Sequence, residues 1–388
     1  MEVASAGREI GMSALYGSRL RRIEALGQSL WLDHIERALL ANGGLERLIR
    51  DDGISGVTSN PAIFEKAIAQ HAEYDAAIAL LARRGLGARE IYETLAIEDV
   101  CRAADMLRDV YETSCGRKYC GRDGYVSLEV SPHLAYDTVA TVDEAKRLWN
   151  RVDRPNLMIK VPATRAGLPA IRQLIAAGIN VNATLLFGVA RYREVAESYL
   201  AGLEDRLADG GALDHVASVA SFFLSRIDTL VDGFLDQDNR DPARELRGQT
   251  AIACARLAYQ EYQELVRSAR WQALAAHGAR TQRLLWASTS TKDTAYNDVM
   301  YVEALIGPDT INTLPPRTMA AYRYHGNPAL RLEEHLNVAS ALPGQLAALG
   351  LDMDVANDEL ERQGVLKFIE PYERLLVALA RRATELTT

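Results

Sequence analysis

Eight short apolar runs recur along this chain of 388 residues, and segments that resemble helices separate them. Strands that alternate with helices predict a parallel sheet with helical crossovers, and eight strands are the number that closes a (β/α)8 TIM barrel. The runs are SLWLD ending at Asp33, ISGVTSN ending at Asn60, YVSLEVS containing Glu129, LMIKV containing Lys160, INVNAT containing Asn182 and Thr184, VASVAS ending at Ser221, RLLWAS ending at Ser288 and TINTL containing Asn312. We therefore predict an α/β fold, a (β/α)8 barrel with additional helices and a C-terminal extension.

The chain is predicted to have three parts. A helical segment at residues 1–27 precedes the barrel, which occupies residues 28–325. Residues 326–388 read as mixed loop and amphipathic helix, and we expect them to form an appendage packed on the barrel.

Helix starts between the strands support the predicted crossovers. Asn60 precedes Pro61, and this pair is typical of a capping residue followed by a proline in the first helical turn. Thr141 and Glu144 have the spacing of a capping box, which predicts another helix start.

Lys160 lies within the apolar run NLMIKVPAT, which reads as a strand buried on both faces. Two interpretations stay open from the residues alone. The stem could lie along apolar surface with the amine in water. Alternatively, the amine could be buried because a neutral, desolvated amine is a nucleophile that forms an imine with a carbonyl substrate.

Polar residues end the predicted strands, and in a (β/α)8 barrel these ends converge on one mouth. Asp33 and Glu129 are the most informative, because an unpaired carboxylate on a barrel strand is costly. Lys160 is their obvious partner, so an inert salt-bridged cluster is an alternative to a catalytic one. In a catalytic site the two carboxylates should lie at some distance from the amine or be tuned themselves, since a close carboxylate would hold the amine charged.

Charge and composition exclude several classes of protein. The 44 basic and 52 acidic side chains give a formal charge of -8, which disfavours binding to nucleic acid or to an anionic membrane. The start of the chain lacks the apolar stretch of a secretory signal, and no run reaches the length of a membrane span, so we expect a cytoplasmic protein. The four cysteines do not make a disulfide framework, and Cys115 with Cys120 lacks zinc-ligand spacing.

Seven segments, in their order and spacing, resemble the motifs of transaldolases, class I Schiff-base enzymes of the pentose phosphate pathway. They are LWLDHIER, GVTSNPAIF, VSLEVSP, LMIKVPAT, INVNATLLF, SFFLSRID and LLWASTSTKD. The extended C-terminus is similar to the longer bacterial form of these enzymes. The resemblance implies a barrel that needs no metal or other cofactor and acts on sugar phosphates.

The resemblance also implies roles for individual residues. Lys160 would attack a ketose carbonyl and Asp33 would be the acid/base at the C4 hydroxyl, while Glu129 and Thr184 would hold the catalytic water. The residues expected to bind substrate are Asn60 and Asn182 at the dihydroxyacetone portion, and Ser221, Arg226, Ser288 and Lys292 on the side of the sugar phosphate.

One position departs from the family pattern. Many transaldolases have an arginine two residues after the serine of the seventh strand, where it grips the phosphate. Here Ser290 occupies that position and the nearest cation is Lys292, so we expect phosphate binding to depend on Arg226 and Lys292.

Two alternative functions stay open. A fructose 6-phosphate aldolase would use the same lysine to release free dihydroxyacetone, but that group usually has glutamine in place of Glu129 and tyrosine in place of Phe223. A noncatalytic barrel that binds sugar phosphates would not need an imine-forming lysine. The sequence is compatible with a monomer or a homodimer.

Overall fold

The computed structural model describes residues 18–114, 121–238 and 240–387, and in these residues eight parallel strands form a closed barrel in chain order. The last strand pairs with the first. The strands are β1 (Ser29–Leu32), β2 (Ile54–Val57), β3 (Tyr125–Glu129), β4 (Leu157–Pro162), β5 (Val181–Leu186), β6 (Ser218–Phe223), β7 (Arg283–Ala287) and β8 (Ile311–Leu314). Each overlaps one of the eight predicted runs, so the predicted barrel is confirmed. Cys115 and Cys120 lie outside the described residues.

Helices connect the strands and surround the barrel. The described residues contain α1 (Arg19–Ala25), α2 (Arg37–Ala41), α3 (Gly44–Asp52), α4 (Pro61–Gln70), α5 (Asp75–Arg83), α6 (Ala88–Met106), α7 (Arg108–Thr113), α8 (Thr138–Val152), α9 (Gly167–Ala176), α10 (Val189–Ala208), α11 (Ser225–Leu235), α12 (Asp241–Leu246), α13 (Thr250–Arg267), α14 (Ala269–Ala276), α15 (Met300–Ala304), α16 (Pro316–His325), α17 (Leu336–Ala348) and α18 (Met353–Glu385). Within these ranges, no helix combines the length and apolarity that crossing a membrane requires.

The two predicted helix starts have different outcomes. Asn60 caps α4 as predicted, since its side chain accepts a hydrogen bond from the Ile63 backbone N–H. The predicted capping box at Thr141 is wrong. The helix begins one turn earlier because Asp137 caps it, and the Thr141 hydroxyl instead donates to the Leu134 carbonyl from within α8.

The N-terminal end of the barrel is closed by a buried ion pair. Arg283 at the start of β7 donates to Asp123 over 2.9 Å, and both side chains are buried. Asp123 also accepts hydrogen bonds from the Ser29 hydroxyl at 2.8 Å and from the Trp31 indole at 3.0 Å. A buried ion pair is stable only when its remaining hydrogen-bonding groups are satisfied, and these contacts supply them.

The long C-terminal helix α18 lies against α4, α5 and α6. Its buried residues recur with a spacing of three or four, which places them on one face of the helix. Arg374 forms two hydrogen bonds with Glu65, and Arg382 pairs with Asp75. These contacts hold α18 on the helices that follow β2. The predicted boundaries at residues 27/28 and 325/326 stay a prediction.

Candidate active site

A cavity of about 140 Å³ opens at the mouth where the strands end. It is lined by Asp33, Thr58, Asn60, Ala62, Lys160, Ser221, Phe223, Arg226, Leu285, Ala287, Ser288, Thr313, Lys367 and Phe368. The lining therefore brings together six of the predicted site residues, which come from β4, from β6 and from the segments after β1, β2, β6 and β7.

Lys160 is buried in the barrel, with only 4% of its surface exposed. Its amine donates a hydrogen bond to the Ser59 carbonyl over 3.1 Å and lies 5.4 Å from the centre of the Phe368 ring. In this structure the side chain does not extend along the surface into water. Of the two interpretations left open by the sequence, the structure agrees with the buried amine.

Asp33 follows β1 directly and accepts a hydrogen bond from the Thr58 hydroxyl over 2.7 Å. Burial raises the pKa of Asp33, while the charge of Lys160 and the Thr58 hydrogen bond oppose the rise. A carboxylate with a raised pKa is a better proton acceptor, and Asp33 lines the same cavity as the amine.

Glu129 is the neighbour of Lys160 in the β3–β4 pairing. Burial raises its pKa to about 7, against the opposing charges of Lys160 and Arg226. Both of its carboxylate oxygens are buried and have no hydrogen-bond partner among the described residues. The salt-bridged cluster considered above is therefore wrong for Glu129, because no ion pair in the described part of the chain joins it to Lys160.

Two residues of β5 lie close to Lys160. Asn182 pairs with Lys160 in the strand register and is fully buried. Its side chain donates to the Ser127 hydroxyl at 3.0 Å and accepts from the Ser221 hydroxyl at 2.7 Å. Thr184 is also buried, and its hydroxyl has no hydrogen-bond partner within the described ranges. Neither residue is part of the cavity lining given above.

Arg226 projects toward the cavity from the first turn of α11. Its guanidinium carbon lies 5.2 Å from the centre of the Phe223 ring and 5.6 Å from that of Phe368. One of its terminal nitrogens is buried and has no hydrogen-bond partner in the described structure. Ser288 is held next to this turn, since its hydroxyl and that of Ser225 are 2.9 Å apart.

Lys292 lies outside this cavity. It lines a neighbouring one of about 240 Å³, together with residues of α11 such as Asp232. Its amine donates to the Ser290 hydroxyl over 2.8 Å. Its loop is attached to α11, because the Tyr296 hydroxyl donates to Asp232 over 2.8 Å. Desolvation lowers the pKa of Lys292, and the charge of Arg226 lowers it further.

Eight lining residues were not predicted as site residues, and they include Thr58, Thr313, Lys367 and Phe368. Thr58 lies two residues before Asn60. Its hydroxyl oxygen is 2.7 Å from the hydroxyl oxygen of Thr313. Both lie within predicted strand runs. Side chains of a strand point alternately to its two faces, so this alternation could have identified both residues as facing the interior of the barrel. Lys367 and Phe368 belong to α18, and nothing in their local sequence indicates that this helix reaches the mouth.

The geometry defines a class of enzyme. A buried amine at the mouth of a (β/α)8 barrel, with no ion-pair partner among the described residues, can form an imine with a carbonyl substrate, and nearby carboxylates of raised pKa can exchange protons with that substrate. In the described residues, no three His, Cys, Asp or Glu side chains are grouped so that they could hold a metal ion.

Comparisons with known proteins identify the family. The family model described as Transaldolase/Fructose-6-phosphate aldolase matches residues 30–379. A protein named Transaldolase 2 from Nostoc punctiforme is 49% identical over 373 residues, which cover 93% of this chain and 97% of that protein. Proteins named Transaldolase from Thiobacillus denitrificans and Saccharopolyspora erythraea are 48% and 46% identical, each over 92% of this chain and over 98% and 96% of their own length. The chain belongs to the transaldolase/fructose-6-phosphate aldolase family.

Proposed function

We propose that this protein is a transaldolase that transfers a dihydroxyacetone unit through a Schiff base on Lys160. The donor is sedoheptulose 7-phosphate or fructose 6-phosphate, and the acceptor is glyceraldehyde 3-phosphate or erythrose 4-phosphate. The observation that carries the proposal is the buried Lys160 amine, which lines the same cavity as Asp33 and Arg226. The relatives named transaldolase, which match the chain over most of its length, support it.

The first half of the reaction uses Lys160 and Asp33. The neutral amine attacks the ketose carbonyl, water leaves, and the resulting imine is protonated. Asp33 takes the proton of the C4 hydroxyl, the C3–C4 bond breaks, and its electron pair moves into the imine to give an enamine on Lys160. The aldose phosphate leaves, and the positively charged imine nitrogen has served as the electron sink.

The second half reverses these steps with a new aldose phosphate. Asp33 returns its proton to the oxygen of the acceptor aldehyde as the new C–C bond forms. Water then hydrolyses the imine and releases the product ketose. Glu129 and Thr184 are suited to hold this water, because their buried oxygens have no partner in the described structure. Asn60 and Asn182 would bind the dihydroxyacetone portion, and Ser221 would fix Asn182 through their hydrogen bond.

The aldolase alternative differs in the fate of the enamine, which would be protonated at carbon to an imine that water then hydrolyses, releasing free dihydroxyacetone. Phe223 offers no hydroxyl to hold a water, and its ring lies against Arg226 and Phe368. A side chain that cannot hold a water at this position favours transfer to an aldose over release. An assay for free dihydroxyacetone from fructose 6-phosphate without acceptor separates the two activities.

Reduction with borohydride in the presence of fructose 6-phosphate tests the proposal. We expect a dihydroxyacetone-derived mass on Lys160 in peptide maps, since reduction traps an imine at that amine, and Lys160→Ala should abolish the label. Label on another lysine, or none in an active preparation, would refute the assignment. No trapping together with sugar-phosphate binding would favour the noncatalytic barrel. The cytoplasmic location and the choice between monomer and homodimer stay predictions.

A further inference from the structure

The C-terminal helix α18 contributes one charged residue to the lining of the cavity. Lys367 lines the cavity together with Lys160, Arg226 and Ser288. Lys367 is exposed to solvent, so the residue lies at the rim. A cation at this place comes from a part of the chain that follows all eight strands.

The packing of α18 fixes the position of this lysine. Phe368, the next residue, is 3% exposed, and its ring centre lies 6.3 Å from that of Phe223. One turn earlier, Gly364 lies so close to β5 that a Cβ atom there would be 3.2 Å from Leu185. Further along α18, after Lys367 and Phe368, Arg374 pairs with Glu65 of α4. The register of α18 is therefore set on both sides of Lys367.

Lys367 belongs to a group of cations at the mouth. The pKa of Lys292 is lowered by desolvation and by the positive charges of Arg226, Lys66 and Lys367. The negative charge of Asp33 raises it. Within the described ranges, no ion pair joins Arg226, Lys292, Lys66 or Lys367 to a carboxylate. Like charges that approach one another repel, and a bound dianion offsets this repulsion. The protein as a whole has a formal charge of -8, so the positive mouth is a local feature.

We propose that Lys367 binds the phosphate of the sugar substrate beside Arg226, which lines the same cavity. It would take over the contact that the family pattern assigns to an arginine where Ser290 stands, because the serine side chain carries no charge. A lysine is suited to this place, since its flexible stem can bring a point charge from the rim to the phosphate. This inference rests on the proposed function, which places a phosphorylated sugar in this cavity.

The test compares a phosphorylated with an unphosphorylated substrate. In Lys367→Ala we expect KM for fructose 6-phosphate to rise by about tenfold or more, because a hydrogen bond to a charged group is lost. The kcat should change little, since the phosphate is bound equally in the ground and transition states. Half-saturation of borohydride trapping by fructose, which lacks the phosphate, should stay unchanged. Lys367→Arg should keep most of the affinity for fructose 6-phosphate.

Lys66→Ala is the matched control. Lys66 is an exposed lysine of α4 that also acts on Lys292, but it is not in the cavity lining. A direct contact predicts a large effect in Lys367→Ala and a small one in Lys66→Ala at about 0.15 M salt, where long-range attraction is screened. Equal losses in both variants that disappear at higher salt would overturn the proposal.

A gain-of-function variant provides a second measurement. Ser290→Arg introduced into Lys367→Ala should restore the affinity for fructose 6-phosphate, because it supplies the arginine that the family pattern has at this position. If Lys160 is trapped with both sugars but Lys367→Ala retains its KM for fructose 6-phosphate, the assignment of Lys367 is wrong and the transaldolase proposal stands. If Lys160 is trapped with neither sugar, both proposals fail.

Discussion

Replacing Glu129 with glutamine should change how the stability of the protein depends on pH. Burial raises the pKa of Glu129 from its ordinary value of 4.5 to about 7. The folded protein therefore binds this proton more tightly than the unfolded chain does. Between about pH 4.5 and 7 the folded state holds more protons, so this group lowers the free energy of unfolding as the pH rises.

The size of this effect follows from the pKa. At about 1.4 kcal/mol per pH unit, the rise to about 7 corresponds to about 3 kcal/mol of lost stability above pH 7. Glu129→Gln keeps the shape of the side chain and removes the proton equilibrium. Relative to the wild type, the variant should thus gain up to about 3 kcal/mol between about pH 4.5 and 8.

Chemical denaturation of both proteins across this pH range measures the difference. The stability of the variant minus that of the wild type should be constant below about pH 4.5, rise up to about pH 7 and then level off. The same variant should lose turnover by about 10²- to 10⁴-fold if Glu129 holds and activates the water as proposed. A stability difference that does not change with pH would refute the claim that Glu129 is buried with a raised pKa.

Three further predictions concern the chemistry and the packing of the barrel. Asp33→Ala should still form the imine but not break the C3–C4 bond, so intact-protein mass spectrometry after reduction should find a six-carbon adduct on Lys160; near-normal turnover of a folded variant would rule out Asp33 as the base. Turnover should survive exhaustive chelation with EDTA, and a loss restored by a divalent cation would contradict the Schiff-base mechanism. Gly56→Ala should destabilise the protein by about 1 to 3 kcal/mol in a denaturation assay, because a Cβ atom would lie 2.5 Å from the Trp31 ring; an unchanged stability would show that Trp31 can move.

The barrel could be predicted from the sequence because each strand carries its own signal. An apolar run that ends in a polar residue is readable without knowledge of its neighbours, and the closed topology follows from the number of such runs. The prediction of helix starts was limited because two neighbouring residues can both cap the same helix. Asp137 and Thr141 are both capping residues, and α8 begins after the earlier one, which accepts a hydrogen bond from the Ala140 backbone N–H.

The part of the candidate site formed by α18 could not be predicted for a different reason. The spacing of its buried residues indicates a helix with one apolar face but does not indicate what that face covers. Phe368 reaches the cavity only because α18 packs across α4 and α6, which the chain forms more than two hundred residues earlier. Lys292 shows that closeness in sequence can also mislead. It lies four residues after Ser288 and was predicted to bind the phosphate, but its loop places it in the neighbouring cavity.

The electrostatic balance of the site explains how a lysine can be buried near two carboxylates. A charged carboxylate in contact with the amine would hold it protonated and prevent its attack on a carbonyl. In the described residues Glu129 makes no ion pair with Lys160, and burial raises the pKa of both Glu129 and Asp33. With its pKa at about 7, Glu129 is partly protonated near neutral pH, which weakens its hold on a charged amine. In the proposed mechanism Lys160 is the nucleophile, and the raised pKa of the two buried carboxyl groups suits them to exchange protons during the reaction.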